Sequence, residues 1–340
     1  MKMSILSKAF ASFALLIAAL SHAQVRQSDP LGTIQSSPTT CEGNLSGGTC
    51  YALDITCPQL PDYTAYIKIY DPTVPVIGTV LFVTGGDGTD LVEDRMYGPV
   101  VVQTILQKGY RPVELSYGDP FNSNELGWQS DANGAGVRAA ACRFATVQQW
   151  VHDNFLDAGT PLCSSGNSAG GQLIGESLAH YGSSDLLAFA EISSGPPFGR
   201  VDYACENTQP VTVSPCSGAK DSLAVQPGTS AKFIDPAYPA AWCSSAYTTH
   251  STVHQAQFLK DSITVGNSVL SYANTFVNFL FGKDDTTSAI RQGLLYQSAI
   301  KSSTATECVA KTGHTVEDYL PGAQQVAADI ISHCKLPVKK

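Results

Sequence analysis

The sequence predicts an α/β domain: a mostly parallel central sheet flanked by helices, with a cap insertion. Three observations predict it. Short apolar runs alternate with stretches of helical periodicity over 76–192 and again over 275–334. The first of these runs, 76–83, is apolar almost throughout and ends in Thr84-Gly85-Gly86-Asp87-Gly88, as a strand buried on both faces does. The alternation stops over about 196–272, where Pro, Cys, Ser and aromatic residues crowd together, and then resumes. Strands separated by helices need crossover connections, which favour parallel pairing.

Taken in order, residues 1–23 read as an export signal. Lys2 and Lys8 give a positive start, 9–20 is apolar, and small residues precede a cut after Ala23. That apolar run is too short to span a bilayer comfortably, and no later segment has the length of a transmembrane helix. No membrane anchor is therefore expected after cleavage. Residues 24–62 form a lead-in stapled by the early cysteines, extended and rich in Ser, Thr, Gly and Pro from 24 to about 48. Residues 63–340 form the main domain. Its expected strands cover 63–70, 76–83, 111–116, 161–165, 186–192, 275–281 and 305–310. Its expected helices cover 100–107, 136–155, 169–181, 286–300 and 316–334. The insertion at about 196–272 reads as a cap over the C-terminal edge of the sheet.

Composition narrows the class. The net charge is −9, and becomes −11 once Lys2 and Lys8 leave with the signal. An acidic chain without a basic run makes a poor ligand for nucleic acid. The ten cysteines, all beyond the signal, imply disulfides in a secreted or periplasmic protein. Local spacing suggests Cys41–Cys50, Cys205–Cys216 and Cys308–Cys334. The last pair would tie the strand before His314 to the closing helix. No Cys-x-x-Cys pair offers metal spacing, so a zinc site is not expected.

The chemistry-bearing motif is Gly166-Asn167-Ser168-Ala169-Gly170, which fits Gly-x-Ser-x-Gly. A serine on a sharp turn between strand and helix needs small neighbours two residues to either side. A serine hydroxyl also needs a base to take its proton. His314, in Lys311-Thr312-Gly313-His314 after a late strand, is the histidine placed to do so. A carboxylate must then orient the imidazole. Phe281-Gly282-Lys283-Asp284-Asp285 supplies two, of which Asp285 is favoured over Asp284. Oxyanion donors are expected from the backbone N–H of Ala169 and from Gly86 or Asp87 in the glycine loop.

Together these residues resemble the α/β-hydrolase superfamily over about 65–334, in the chain order Ser168, Asp285, His314. The Gly-Asn-Ser-Ala-Gly-Gly elbow also looks like that of hormone-sensitive-lipase-like esterases, although Thr84 stands where their oxyanion loop carries His. The resemblance implies a secreted serine hydrolase of carboxylesterase or lipase type. It would cleave a small-molecule or polymeric ester through an acyl-enzyme on Ser168, without metal or organic cofactor. It also implies an antiparallel strand near Tyr63, and places the acid three residues after Gly282, at Asp285. A serine peptidase of the same fold and a catalytically silent binding module are the alternatives. In the cap, Phe198, Tyr203, Phe233, Tyr238, Trp242 and Tyr247 either line a substrate pocket or form the cap's own core. Trp128, at the end of the loop 122–128, either meets substrate or packs beneath that loop.

Overall fold

The computed structural model describes residues 28–118, 127–130, 132, 134–206, 216, 231–265 and 267–336. The expected export signal, most of the loop 122–128 and part of the insertion lie outside them.

Among the described residues, nine strands form one sheet. They are β1 (Thr33–Thr39), β2 (Thr49–Thr56), β3 (Tyr63–Ile69), β4 (Gly78–Val83), β5 (Tyr110–Ser116), β6 (Leu162–Asn167), β7 (Leu187–Ser193), β8 (Phe276–Gly282) and β9 (Thr304–Val309). The spatial order is β1-β2-β3-β5-β4-β6-β7-β8-β9. The first three strands pair antiparallel and β3 joins β5 antiparallel, whereas all pairs from β5 to β9 are parallel. The strand near Tyr63 is thus antiparallel, as expected. The two outer strands β1 and β2 arise from the lead-in, where no strand is expected.

Side-chain alternation sends the two sides of the sheet to two cores. Val80 and Phe82 of β4, Phe189 of β7 and Leu280 of β8 share one core with α1 (Gly98–Gln107) and α10 (Leu320–His333). Leu81, Val83, Ile192, Phe279 and Phe281 face the other, with α3 (Cys142–Phe155), α4 (Ala169–His180) and α9 (Ala289–Ala299). Each such buried side chain contributes roughly 1.5–3 kcal/mol over an exposed one. The helix expected at 136–155 is interrupted at Ala141, leaving α2 (Val137–Ala140) ahead of α3. The closing helix begins later than the apolar spacing suggests. Pro321 fits a first helical turn, so α10 starts at Leu320 and Val316–Asp318 forms a separate 3₁₀ turn. Between β7 and β8 the chain forms α5 (Val201–Glu206), α6 (Ala231–Ile234), α7 (Trp242–Thr249) and α8 (Gln255–Asp261).

All ten cysteines are paired. Cys41–Cys50 closes as expected. The other two expected pairs are wrong: Cys205 bonds Cys243, Cys216 bonds Cys308, and Cys334 bonds Cys163. Strand alternation explains the last two. Cys308 lies opposite Phe281 in register and shares its face, while α10 packs on the opposite face beside Cys163. Cys308 therefore points away from Cys334. In the insertion, α5 packs on α7, which brings Cys205 to Cys243 rather than to its neighbour in sequence. Cys57 and Cys142 join the end of β2 to the start of α3.

Candidate active site

Ser168 occupies the single residue between β6 and α4, at φ 52° and ψ −113°. A non-glycine residue rarely adopts this conformation, which costs on the order of 1–3 kcal/mol and must be enforced by its surroundings. Its backbone N–H donates to the Ser193 carbonyl at 2.8 Å. The glycines two residues away are there for lack of space. A Cβ on Gly170 would meet the Val83 carbonyl oxygen at 2.3 Å, and one on Gly166 would meet the Gly170 carbonyl carbon at 2.7 Å.

The loops after β8 and β9 bring two further side chains to this turn. His314 Nε2 lies 2.8 Å from Ser168 Oγ. His314 Nδ1 lies 2.9 Å from Asp285 Oδ2. The carboxylate calls for the proton on Nδ1, which leaves Nε2 to accept from the serine hydroxyl. Asp284 is exposed, and its backbone N–H donates to the Thr312 carbonyl at 2.9 Å. Of the two carboxylates, Asp285 is the one that reaches the imidazole. The acid and histidine loops are pressed together at Gly282, where a Cβ would lie 2.3 Å from the carbonyl oxygens of Thr312 and Gly313.

Asp285 is fully buried, whereas the His314 side chain is 29% exposed. Burial alone would raise the Asp285 carboxyl. The hydrogen bond and charge of His314, with the N–H and hydroxyl of Thr287, outweigh it and hold the group below the usual aspartate value. Asp285 therefore remains ionised at neutral pH. Nearby, burial pushes the Glu317 carboxyl up to about 7, with Asp318 adding to the rise and the charges of Arg95 and His314 opposing it.

Several supporting residues carry no motif of their own. The Thr287 N–H donates to Asp285 Oδ1 at 2.8 Å, and Thr287 Oγ1 lies 3.1 Å from His314 Nδ1. Asn167 Nδ2 donates to the His314 carbonyl at 2.9 Å, tying the serine turn to the histidine loop. The Asp-Asp-Thr-Thr run ahead of a helix was the one signal for Thr287, since such residues hydrogen-bond their local backbone.

The glycine loop after β4 lies against the serine turn. A Cβ on Gly85 would meet that of Ser168 at 3.0 Å. Trp128 braces the loop from beneath: its indole N–H donates to the Gly86 carbonyl at 3.1 Å and its backbone N–H to the Asp87 carbonyl at 3.0 Å. Gln129 donates to the Asp87 carboxylate. Trp128 is 1% exposed and so packs under the loop. Among the described residues, the backbone N–H groups of Gly86, Asp87 and Ala169 donate to no acceptor. Ala169 opens α4, where the helix dipole favours negative charge. Of the cap aromatics, Phe198 and Tyr238 are buried and Trp242 stacks on Tyr238 and His254. Phe233 instead lies 3.6 Å from where a Gly86 Cβ would stand.

No family model matches the chain, and no curated protein matches it in sequence. Solved structures do match. Est1E from Butyrivibrio proteoclasticus superposes at a TM-score of 0.51 with 12% identity, over 84% of this chain and 99% of that one. Pyrococcus horikoshii acylaminoacyl peptidase gives 0.50 at 12% identity, over 96% of this chain and 44% of that one. Puromycin hydrolase gives 0.50 at 13% identity, over 92% and 43%. This chain thus spans less than half the length of the latter two. The strand order, the helices on both faces and these likenesses define an α/β-hydrolase fold with a helical insertion.

Proposed function

We propose that this protein is a serine hydrolase that cleaves carboxylic esters through an acyl-enzyme on Ser168. One observation carries the reading: Ser168 Oγ, the His314 imidazole and the buried Asp285 carboxylate form a continuous chain of 2.8 and 2.9 Å contacts. Ser168 Oγ attacks the ester carbonyl carbon as its proton passes to His314 Nε2. Asp285 stays ionised and stabilises the resulting imidazolium. The N–H groups of Ala169 and of Gly86 or Asp87 hold the negative oxygen of the tetrahedral intermediate. The intermediate expels the alcohol, which takes the proton from His314. Water then repeats the sequence on the acyl-enzyme and releases the acid.

Five disulfides support folding in an oxidising compartment. With the signal-like 1–23, they favour export to the cell exterior or periplasm. Among the described residues no helix is long and apolar enough to cross a membrane.

Hydrolysis of nitrophenyl esters of increasing acyl length tests the reading. The protein is expected to turn over at least the shortest ester. Ser168→Ala should lower kcat by about 10⁴-fold or more. Turnover that survives the substitution would remove Ser168 from the mechanism, and inactivity across the whole series would remove ester hydrolysis.

A further inference from the structure

A cleft of about 420 Å³ lies between the loop that joins β1 to β2 and the chain that follows β4. Its volume is that of a small-molecule site. Glu42, Asn44, Thr89, Asp90 and Asp94 line it with carboxylate, amide and hydroxyl groups, and Tyr66 adds an aromatic ring. The half-buried Tyr66 stands on β3, paired in register with Ser116 of β5.

The chemistry of this lining discriminates among ligands. The cation in the wall, Lys68, has its ammonium engaged by Glu93 Oε1 and the carbonyls of Glu42 and Leu45, each at 2.7 Å. Three carboxylates then repel an anion. An apolar ligand would strip water from those groups without replacing its hydrogen bonds. The carboxylates are also not gathered for a metal. Asp90 pairs with Arg95 at 2.7 Å, and Asp94 accepts the Leu91 N–H at 3.2 Å. Among the described residues no group of three His, Cys, Asp or Glu could hold a metal ion. A neutral polyhydroxylated ligand satisfies every demand. Its hydroxyls donate to carboxylates and accept from amide and threonine groups, and the C–H face of a sugar ring covers an aromatic side chain.

Position links the cleft to the proposed chemistry. Gly85 touches the Ser168 turn, and Thr89, four residues on, lines the cleft. Four residues span at most about 14 Å, so the two are close neighbours. We propose that this cleft is a subsite for a neutral oligosaccharide, and that the ester cleaved at Ser168 is borne on such a chain. The first clause stands on the cleft alone, and the second rests on ester hydrolysis at Ser168.

Calorimetry on the Ser168→Ala protein tests the subsite, with xylotetraose, mannotetraose and cellotetraose as probes. At least one is expected to bind, and Tyr66→Ala or Glu42→Gln added to that protein should weaken it by about tenfold, the value of one good contact. Glu42 is exposed, so its substitution keeps the test sound should Tyr66→Ala fail to fold. No binding up to millimolar probe, binding indifferent to both substitutions, or binding of calcium chloride in place of every sugar would overturn the subsite. In the protein with Ser168 intact, Glu42→Gln should lower kcat/KM on acetylated oligosaccharide while nitrophenyl acetate is hydrolysed as before. An equal effect on both substrates, or on neither, would overturn the second clause. Nitrophenyl acetate turnover reports the Ser168 chemistry separately, whatever the sugars do.

Discussion

Ser168, Asp285 and His314 stand on turns that leave β6, β8 and β9, whereas the insertion between β7 and β8 hangs short helices on two disulfides. The first region inherits its precision from a sheet packed on both faces. Its loops are fastened to one another by Asn167 on the His314 carbonyl, Asp284 on the Thr312 carbonyl and Thr287 on Asp285. The second has helices of four to eight residues, bonded through Cys205–Cys243 within itself and Cys216–Cys308 to β9. The turns that carry Ser168, Asp285 and His314 sit where strand packing fixes the backbone. The insertion adds two disulfides to buried side chains such as Val201, Tyr238 and Phe258, which pack on the same core.

The two neighbouring carboxylates, Asp285 and Asp284, should differ most. Asp285→Asn keeps the shape of the fastened rim but loses the charge facing Nδ1, and kcat is expected to fall by about 10⁴-fold. Asp284→Asn, one residue away and exposed, should leave kcat within about twofold. Comparable losses from both would mean that the loop, not the Asp285–His314 contact, carries the effect.

Next in size are the disulfides. Cys163–Cys334 crosses the core beneath the rim and closes 171 residues, against 38 for Cys205–Cys243. Replacing the first pair by alanines should cost about 4 kcal/mol and lower the Tm of the whole protein. Replacing the second should alter KM more than Tm, because it frees only the insertion. Calorimetric scans beside kinetics on one ester decide this, and a larger Tm loss from the cap pair would reverse the comparison.

A smaller effect follows from Glu317, whose carboxyl is raised by burial. Its folded value lies above its unfolded one, so the folded state holds the proton more tightly. Its contribution therefore falls as pH rises from about 4.5 to about 7 and stays low above that. Glu317→Gln should stabilise the protein by about 2 kcal/mol at pH 8, with the gain vanishing toward pH 4.5. Denaturation at both pH values measures it, and an equal gain at each would point to packing instead. The smallest expected effect is at Trp128. Trp128→Phe removes the bond to the Gly86 carbonyl, worth about 1 kcal/mol, and should lower kcat about fivefold with KM unchanged.

The same contrast explains what could be read from the sequence. Gly78–Val83 announces itself by a nearly continuous apolar run, Ser168 by its Gly-x-Ser-x-Gly motif, and Asp285 and His314 by their order and places after later strands. β1 and β2 escape notice because an outer hairpin is polar on its open side; Thr33–Thr39 buries almost nothing. Cys308 and Cys334 look like partners along the chain, yet the face each occupies depends on register, which spacing does not encode. Trp128 and Thr287 act through backbone groups far away or through local turns, so their types alone give no warning.

Ester hydrolysis by the proposed route depends on the reactivity of one hydroxyl, that of Ser168. Intact-mass spectrometry after exposure to a fluorophosphonate measures it directly. One phosphonyl adduct per chain is expected, mapped to Ser168 and lost in both Ser168→Ala and His314→Ala. A protein left unmodified, or one labelled equally well without His314, would contradict the account.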